Sequence, residues 1–305
     1  MSPRISAIVC THNRAGYLAG AIASLLRQDL TEPYEVLVVD NASTDATRTV
    51  VEPFLQDSRL RYLPEPTLGL SVARNTGAVN AAAPLLAYLD DDAIASPQWL
   101  RVLSEAFQAD ENLAIAGGRV LLDWEGRLPP RWLSTNLASS LGAYDLGNAP
   151  VKIQQPGQTP RGVNYALRRD FWESVGGFSV QLGRIGNTLL SHEELHLTEL
   201  ALRQGKTVRY LPDAEVTHRV APERRHQGWF LERSWWQGVS EYQRERLTGK
   251  AGLGQVQRGG DRLLRGLYHA LRYGNDPALR FDNLVYAYGQ ISYLGLALRH
   301  LILPQ

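Results

Sequence analysis

The 305-residue sequence predicts an α/β protein with a mostly parallel central sheet, helices on both faces of that sheet and a C-terminal extension of helices. The first observation is that strand patterns and helical patterns alternate through residues 1–122. The second is that the strands are nearly uninterrupted apolar runs, which is typical of parallel strands buried on both faces. The third is that only helical patterns follow residue 218.

Each element of the first half follows from apolar spacing and from the polar or turn-forming residues that separate the runs. The predicted strands are 5–11, 34–39, 60–63, 85–89 and 115–122. The predicted helices are 15–30, a helix capped by Ser43 or Thr44 that runs to about residue 55, 69–82, 97–109 and, further on, 193–203. Residues 93–97 are predicted as a turn, and residues 124–160 as an irregular insertion rich in Pro, Gly, Asn and Ser.

The fourth predicted strand ends in three consecutive carboxylates, Asp90, Asp91 and Asp92. Adjacent carboxylates repel, and each raises the pKa of the other unless a cation lies between them. Mg²⁺ and Mn²⁺ prefer oxygen ligands of this kind and are commonly bound together with phosphates. The alternative is a solvated acidic loop that leads into a helix, with Ser96 as the N-cap and Pro97 as the first helical residue.

Polar residues also follow two other predicted strands, at 11–14 and 40–41. Because ligands of open parallel sheets gather beyond the carboxyl ends of the strands, the three polar clusters predict one site at that edge.

The composition limits the classes of partner and compartment. A balance of 32 basic and 31 acidic residues gives no argument for nucleic acid. Cys10 is the single cysteine, so no internal disulfide can form, and the first residues lack the layout of a signal peptide. Both observations favour a cytoplasmic location.

The sequence contains seven segments with specific order and spacing. They are THNR at 11–14, VVDNASTD at 38–45, GLSVARNTG at 69–77, LDDD at 89–92, RGVNYALRR at 161–169, HEEL at 192–195 and the segment 205–213. In this order, they resemble the inverting family 2 glycosyltransferases of the GT-A fold. Any one of them is a weak signal, but their order and spacing across residues 4–218 are specific.

This resemblance implies a metal-assisted transfer of sugar from a nucleotide sugar, with UDP-sugars favoured, to a hydroxyl of a saccharide or lipid-linked acceptor. It implies a GT-A catalytic domain at 1–218, divided into a nucleotide-binding half at about 1–122 and an acceptor-side half at about 123–218, and a helical region at 219–305. The residues implied in nucleotide-sugar binding are Thr11, Asn13, Arg14, Asp40, Arg74, Asn75, Asp90 and Asp91. The implied metal ligands for Mn²⁺ or Mg²⁺ are Asp92 and His218, and the implied acceptor-side residues are Arg161 and Asn164.

The general base implied by the resemblance is Glu194, with Glu193 positioning the acceptor or the base. An inverting transfer needs a base within hydrogen-bond reach of the attacking hydroxyl and positive charge on the departing phosphate. This sequence has Glu194 where the family usually has Asp, and Ser191 and His192 where it usually has glycines. Acidic residues at the start of a helix are also a plain structural choice, because they interact favourably with the helix dipole.

Two other functions stay open from the sequence. A nucleotidyltransferase that makes the activated sugar would need a Gly-rich loop bearing Lys or Arg after the first strand, and 11–14 is not such a loop. A nucleotide-sugar-binding protein without catalytic activity is the other alternative, because Glu194 departs from the family pattern.

The C-terminal region is basic, with six more basic than acidic residues at 219–305, whereas 1–218 has five more acidic than basic ones. A Gly-rich break is predicted at 249–260, followed by helices at 263–273 and 281–303, and residues 283–298 carry no charge. Three interpretations stay open: packing on the catalytic domain, formation of a homo-oligomer, or peripheral contact with the inner face of the plasma membrane.

Overall fold

The computed structural model describes residues 2–249 and 252–302, and these form two compact units. The first unit comprises the residues up to 123 together with 142–180 and 193–219. The second unit comprises 124–141, 181–192 and the residues from 220 onward. Two segments that precede residue 219 therefore group with the C-terminal helices, and the predicted domain boundary after residue 218 stays a prediction.

One sheet of nine strands forms the centre of the first unit, in the order β3-β2-β1-β4-β8-β6-β9-β5, with β7 also paired to β9. Strands β3, β2, β1 and β4 are parallel, as are β6 and β9, whereas β8 is antiparallel to both of its neighbours and β5 and β7 are antiparallel to β9. The strands are β1 (Ile5–Thr11), β2 (Tyr34–Asn41), β3 (Leu60–Glu65), β4 (Leu85–Asp90), β5 (Ala93–Ala95), β6 (Leu113–Asp123), β7 (Val151–Lys152), β8 (Asn164–Arg168) and β9 (Thr207–Arg219).

Ten α-helices are described in the residues that the structure covers, of which α5 and α8 to α10 belong to the second unit. They are α1 (Ala15–Leu26), α2 (Thr47–Val51), α3 (Leu70–Asn80), α4 (Trp99–Ala109), α5 (Thr135–Ala138), α6 (Arg169–Ser174), α7 (Glu193–Arg203), α8 (Gln227–Leu247), α9 (Leu253–Arg272) and α10 (Pro277–Ile302).

The strand order reverses between β1 and β4, and this reversal places helices on both faces. The connections through α1 and α2 step from β1 to β2 to β3, whereas the connection through α3 returns across the sheet to β4. Because such crossovers are right-handed, α3 lies on the opposite face from α1 and α2. Gly77 lets α3 lie close to the sheet, since an added Cβ would lie 2.6 Å from the Ile8 side chain. The predicted α/β fold class is confirmed.

The structure departs from several predicted elements: α1 ends at Leu26 instead of residue 30, and the predicted irregular insertion at 124–160 contains α5 and β7. Two further departures concern strand pairing and helix packing. Residues 93–95 form β5 instead of a turn, because they pair with the end of β9, where Ala93 lies opposite His218. A Gly-rich break is predicted at 249–260, but α9 already begins at Leu253, so the prediction is wrong from that residue onward. Lys250 and Ala251 of the predicted break lie outside the described residues. The glycine at 259 serves close helix packing, because an added Cβ would lie 2.8 Å from Leu294.

In the second unit, α10 packs against both α8 and α9. A buried polar cluster joins the three helices: Glu245 accepts hydrogen bonds from Tyr293 at 2.6 Å, from Gln255 at 3.0 Å and from Arg258 at 2.9 Å. Among the helices of the described residues, none has both the length and the apolar character that crossing a membrane requires.

Candidate active site

The candidate site begins where the strand order reverses, at the carboxyl ends of β1, β2 and β4. Thr11 lies opposite Asp40 in the β1–β2 pair, and Cys10 lies opposite Asp90 in the β1–β4 pair. The predicted polar clusters therefore do meet at one sheet edge. A crevice at such a reversal point is the usual ligand site of an open α/β sheet.

Asp40 lies near the carboxyl end of β2, on the side of the site next to β3. Its carboxylate accepts hydrogen bonds from the Tyr62 hydroxyl and from the Ser43 backbone N–H, the latter at 3.1 Å. Asn13 adopts a left-handed backbone with φ of 52°, and its side-chain oxygen accepts a 2.7 Å bond from the Thr44 backbone N–H. Asn13 thus holds the loop after β2 in place, next to the carboxylate predicted to bind the nucleoside.

Tyr62 was missed by the sequence analysis. It lies opposite Val38 in the β2–β3 register, two residues before Asp40 on the same face of the sheet. Side chains related by such a diagonal on adjacent strands are within reach of each other when one of them is aromatic. A prediction of the β2–β3 register would therefore have identified the contact between Tyr62 and Asp40.

Asp91 is buried, and two side chains contact its carboxylate. The Thr11 hydroxyl donates a 2.7 Å hydrogen bond, and Arg14 Nε lies 3.1 Å away. Burial raises the pKa of Asp91 to about 7 and Asp92 adds to the rise, although Arg14 and Thr11 act in the opposite direction. Burial is therefore the main reason why this carboxyl group holds its proton more tightly than usual.

Asp92 connects this acidic cluster to the end of β9. Its carboxylate binds Arg14 Nη2 through one oxygen and lies 2.9 Å from His218 Nε2 through the other. Ligand atoms of Asp90, Asp92 and His218 all lie within 4.8 Å of one another. Two carboxylates and an imidazole form a donor set that suits Mn²⁺ or a similar divalent ion. These residues could hold a metal ion, and Asp90, predicted on the ribose, joins the two predicted ligands.

Arg74 lies at the centre of the second half of the site. It projects from α3, its side chain is only 3% exposed, and its guanidinium lies over the Phe178 ring at 5.4 Å. Nη1 bonds to Glu193 at 2.9 Å and to Glu194 at 2.7 Å, and Nη2 lies 3.7 Å from Asp90. Burial would lower the pKa of Arg74, but the three carboxylates outweigh burial and raise it. Arg74 thus joins the predicted base to the acidic end of β4.

Gly162, at the start of the segment 162–169, is necessary for this arrangement. A Cβ added at this position would lie 1.7 Å from Glu194 Oε1 and 2.5 Å from Arg74 Nη2. Any side chain here would push apart the two groups that the site brings together.

Arg161 lies beside the same carboxylate. Its guanidinium stacks over the Tyr144 ring at 5.3 Å, and burial lowers its pKa against the opposing effects of Tyr144 and Glu194. Its Nε is buried and has no hydrogen-bond partner among the described residues. Arg161 therefore offers a positive charge and a donor next to Glu194, as an acceptor-side residue would.

The structure places two other predicted residues in supporting positions. The Asn75 amide bonds to both backbone groups of Phe178, at 2.8 and 2.9 Å, so it positions the ring beneath Arg74. Asn164 is fully buried: it accepts a 2.8 Å bond from Trp99 Nε1 and donates to the Ala214 carbonyl at 2.7 Å. Both amides thus have structural partners within the protein, and their roles in nucleotide-sugar and acceptor binding stay predictions.

A comparison with known protein families decides the classification. Residues 6–159, half of the chain, match the family described as glycosyl transferase family 2. The chain belongs to glycosyl transferase family 2. It is a glycosyltransferase, and the predicted resemblance is confirmed.

The curated relatives of this glycosyltransferase include proteins of archaea and bacteria. A glucosyl-dolichyl phosphate glucuronosyltransferase of Haloferax volcanii is 26% identical over 245 residues, which cover 78% of this chain and 76% of the relative. A validoxylamine A glucosyltransferase of Streptomyces hygroscopicus subsp. jinggangensis is 42% identical over 102 residues, which cover 32% of this chain and only 24% of that protein.

Solved structures share the fold at lower identity. The mannosyltransferase PcManGT from Pyrobaculum calidifontis, in complex with GDP-Man and Mn²⁺, aligns with a TM-score of 0.58 and 19% identity, over 98% of this chain and 76% of that one. S. aureus TarS 1-349 in complex with UDP aligns with a TM-score of 0.55 and 19% identity, over 95% and 91% of the two chains. The predicted GT-A fold is confirmed.

Asn164→Ala tests whether Asn164 supports the fold or binds the acceptor. We expect the free energy of unfolding to fall by about 2–4 kcal/mol, because Trp99 Nε1 and the Ala214 carbonyl lose their buried partner. Denaturant unfolding followed by Trp fluorescence measures the change. Unchanged stability combined with a loss of transfer activity would instead support the predicted acceptor-side role.

Replacing metal ligands tests the cluster of Asp90, Asp92 and His218. Mn²⁺ at one hundred times its dissociation constant should stabilise the unmodified protein by about 2.7 kcal/mol. Asp92→Asn and His218→Ala should each abolish this Mn²⁺-dependent rise in melting temperature. Asp213→Asn, an exposed aspartate in the same strand β9, serves as the matched control and should keep it. If Mn²⁺ raised the melting temperature of both ligand variants as much as that of the unmodified protein, the assignment would be contradicted.

Proposed function

We propose that this glycosyltransferase transfers a sugar, with inversion, from a nucleotide sugar to a hydroxyl of a saccharide or lipid-linked acceptor, with Glu194 as the general base. The observation that carries the proposal is the position of Arg74, which bonds to Glu194 and lies 3.7 Å from Asp90. The predicted base and the acidic end of β4 therefore share one buried arginine. A donor sugar between them would have the base on one side and the diphosphate on the other.

The donor half of the site suits a nucleoside diphosphate. Asp40 and Thr11 lie at neighbouring strand ends, where a nucleoside can be hydrogen-bonded, and Arg14 and Arg74 supply positive charge next to the acidic cluster. The related structures hold GDP-Man in one case and UDP in the other. A UDP-sugar is the favoured donor in this proposal.

The cation of this site would be held by Asp90, Asp92 and His218, and a divalent ion there supplies positive charge to the departing diphosphate. Arg14 and Arg74 also supply positive charge to the departing diphosphate. Arg14 is held by Asp91 and Asp92, and Arg74 by Asp90 and the two glutamates. Each guanidinium is thus fixed before the donor arrives.

The chemical step proposed for Glu194 is removal of the proton from the acceptor hydroxyl. Arg74 bonds to Oε1, and Oε2 takes part in no hydrogen bond with the described residues, so it can accept that proton. The hydroxyl oxygen then forms a bond to the anomeric carbon while the bond from that carbon to the phosphate oxygen breaks. The products are the inverted glycoside, the nucleoside diphosphate and protonated Glu194.

The acceptor side of the proposal rests on Arg161 and Glu193. Glu193 and Glu194 share the Nη1 nitrogen of Arg74, so Glu193 helps to hold the arginine next to the base, while Arg161 can bind a polar or anionic group of the acceptor. The Haloferax volcanii relative is named for a lipid-linked acceptor, glucosyl-dolichyl phosphate. An acceptor of this type would bring the protein to the inner face of the plasma membrane, which stays part of the proposal.

Glu194→Gln tests the base. A thermal-shift panel of nucleoside diphosphates and sugar nucleotides with Mn²⁺ first identifies the donor. Transfer, or hydrolysis of that donor, should then fall by at least about 100-fold in Glu194→Gln, because general-base catalysis typically contributes about 10²–10⁴-fold. Nucleotide binding in the same thermal-shift assay should be retained.

The control for this variant is Glu232→Gln, which changes an exposed glutamate of α8 in the same way and should leave the rate unchanged. Full activity in Glu194→Gln would remove Glu194 from the chemical step. Donor binding without turnover in the unmodified protein, with several acceptor classes supplied, would support a binding protein instead.

Gly162→Ala tests the pairing of Glu194 with Arg74. The added methyl group should displace both side chains, because they are the nearest atoms to it. We expect the rate of transfer to fall at least about 10-fold, since misplacing a reacting group by about 1 Å costs up to about 100-fold. The melting temperature should also fall, because the buried Arg74 loses part of its contact with Glu194. Gly157→Ala, where an added Cβ meets nothing within 4 Å, is the matched control. Equal rates in the two variants would contradict the proposed geometry.

A further inference from the structure

Two helices of the second unit carry exposed apolar stripes. On α9 the stripe consists of Leu253, Leu264, Leu267 and Leu271, which are 77, 68, 44 and 83% exposed. On α10 it consists of Leu284, Tyr288, Ile291, Leu298 and Ile302, and Ile302 is 74% exposed. Scattered exposed leucines are ordinary, but nine aligned apolar side chains on adjacent helices form a patch that calls for a partner.

Both stripes lie on the same side of the α9–α10 pair, which we call the hairpin face. The two helices run antiparallel, because Gly259 lies against Leu294 and Gly266 against Ala287. At about 100° per residue, the stripe is rotated from the residues that face the other helix by about 130° on α9 and by about 70° on α10, in the same sense seen from each N-terminus. For antiparallel neighbours, rotations in the same sense bring the two stripes to one side of the pair.

The spacing of the hairpin face suits another helix. Its apolar residues recur at steps of three and four, as in 264, 267 and 271 and in 284, 288 and 291. This is the heptad spacing that places side chains between those of a facing helix. A membrane surface needs an apolar face but no such register.

Charge also favours a helix over a lipid surface. A helix lying at an anionic bilayer typically carries Lys or Arg close to its apolar face. The four arginines of α9, at 258, 262, 265 and 272, lie about 100–180° from the leucine stripe, and Arg258 is bound to Glu245 at 2.9 Å. On α10 no charged residue occurs from 283 to 298, and the exposed Arg280 and Arg299 lie near the two ends of its stripe. The central part of the face is therefore apolar without a basic border.

Two glycines interrupt the stripes at nearly the same level. Gly260 and Gly295 occupy the heptad positions between the apolar residues, and a Cβ added at either glycine would meet nothing within 4 Å. Because Gly259 lies against Leu294, the two gaps are neighbours across the hairpin. They form a shallow notch into which a side chain of a facing helix can insert.

The size of the hairpin face lies at the lower end of the range for stable dimers. Helices of 20 and 26 residues are roughly 30 and 39 Å long, and a pair of helices is roughly 20 Å wide. The face therefore extends over roughly 600 Å², before the relief of the side chains is added. One partner of a standard protein interface buries about 800 Å².

We propose that a second copy of this chain covers the hairpin face, so that two α9–α10 pairs form a four-helix bundle around a two-fold axis. A two-fold axis lets the same face serve both partners, with the notch of each copy receiving an apolar side chain of the other. The dimer is independent of the proposed catalytic chemistry.

The test is the molar mass of the full chain, measured by size-exclusion chromatography with light scattering over a dilution series. The unmodified protein should have twice the 33.9 kDa mass of one chain. Leu264→Glu and Ile291→Glu should each reduce it to one chain mass, because a carboxylate would be buried in the bundle. Leu128→Glu, at a leucine that is 90% exposed outside α9 and α10, is the matched control and should stay dimeric. Far-UV circular dichroism should show unchanged helix content in all three variants.

The dilution series of the unmodified protein tests the proposal without any variant. A mass of one chain throughout the micromolar range would overturn it, as would dimers that persist in both glutamate variants. Co-sedimentation of a monomeric protein with phosphatidylglycerol vesicles, abolished by Leu264→Glu, would overturn it in favour of a lipid surface. Dimerisation that is lost in both variants and kept in Leu128→Glu would establish the hairpin face as the interface.

Discussion

The buried arginine at position 74 is the constraint on which the candidate site depends. A guanidinium that is only 3% exposed is stable in the folded protein only if carboxylates are close to it, since burying an unpaired charge is costly. The carboxylates come from two separate elements, the end of β4 and the start of α7. The fold thus fixes the distance between the predicted donor side and the predicted base through one side chain. Removing the carboxylates of either element would leave Arg74 with fewer partners and would destabilise its contact with the other element.

The charge balance around this arginine would favour the binding of a cation. Asp90, Asp91 and Asp92 together with the two glutamates place five carboxylates around Arg14 and Arg74. Burial raises the pKa of Asp91 to about 7, and the neighbouring Asp92 adds to the rise. A divalent cation would relieve the repulsion among these carboxylates, and its remaining charge would attract a diphosphate. The same acidic cluster can therefore recruit a substrate that is itself negative.

The sequence was sufficient where local pattern decides the structure. Apolar runs and their polar ends predicted the strands of the first half and the edge at which Thr11, Asp40 and Asp90 meet, and α7 has the predicted bounds of 193–203. It was insufficient where a side chain finds its partner far along the chain. The Asn164 amide bonds to a backbone carbonyl 50 residues away, and nothing near it in sequence distinguishes this buried position from a substrate contact. The strand at 93–95 was missed because its pairing partner is the end of β9.

The C-terminal helices show a different reason why the sequence alone left several interpretations open. Residues 283–298 are apolar around most of the helix, so their pattern alone cannot show which face is buried. The structure separates the faces: Val285, Gly289 and Ser292 lie on the side that packs against α8, whereas Leu284 and Ile291 stay exposed. The charge-free stretch of α10 thus serves two contacts, one with α8 within the chain and one with the second copy in the proposed dimer. Because the outward contact keeps a heptad register over five turns, it has the character of a helix interface more than of a surface immersed in lipid.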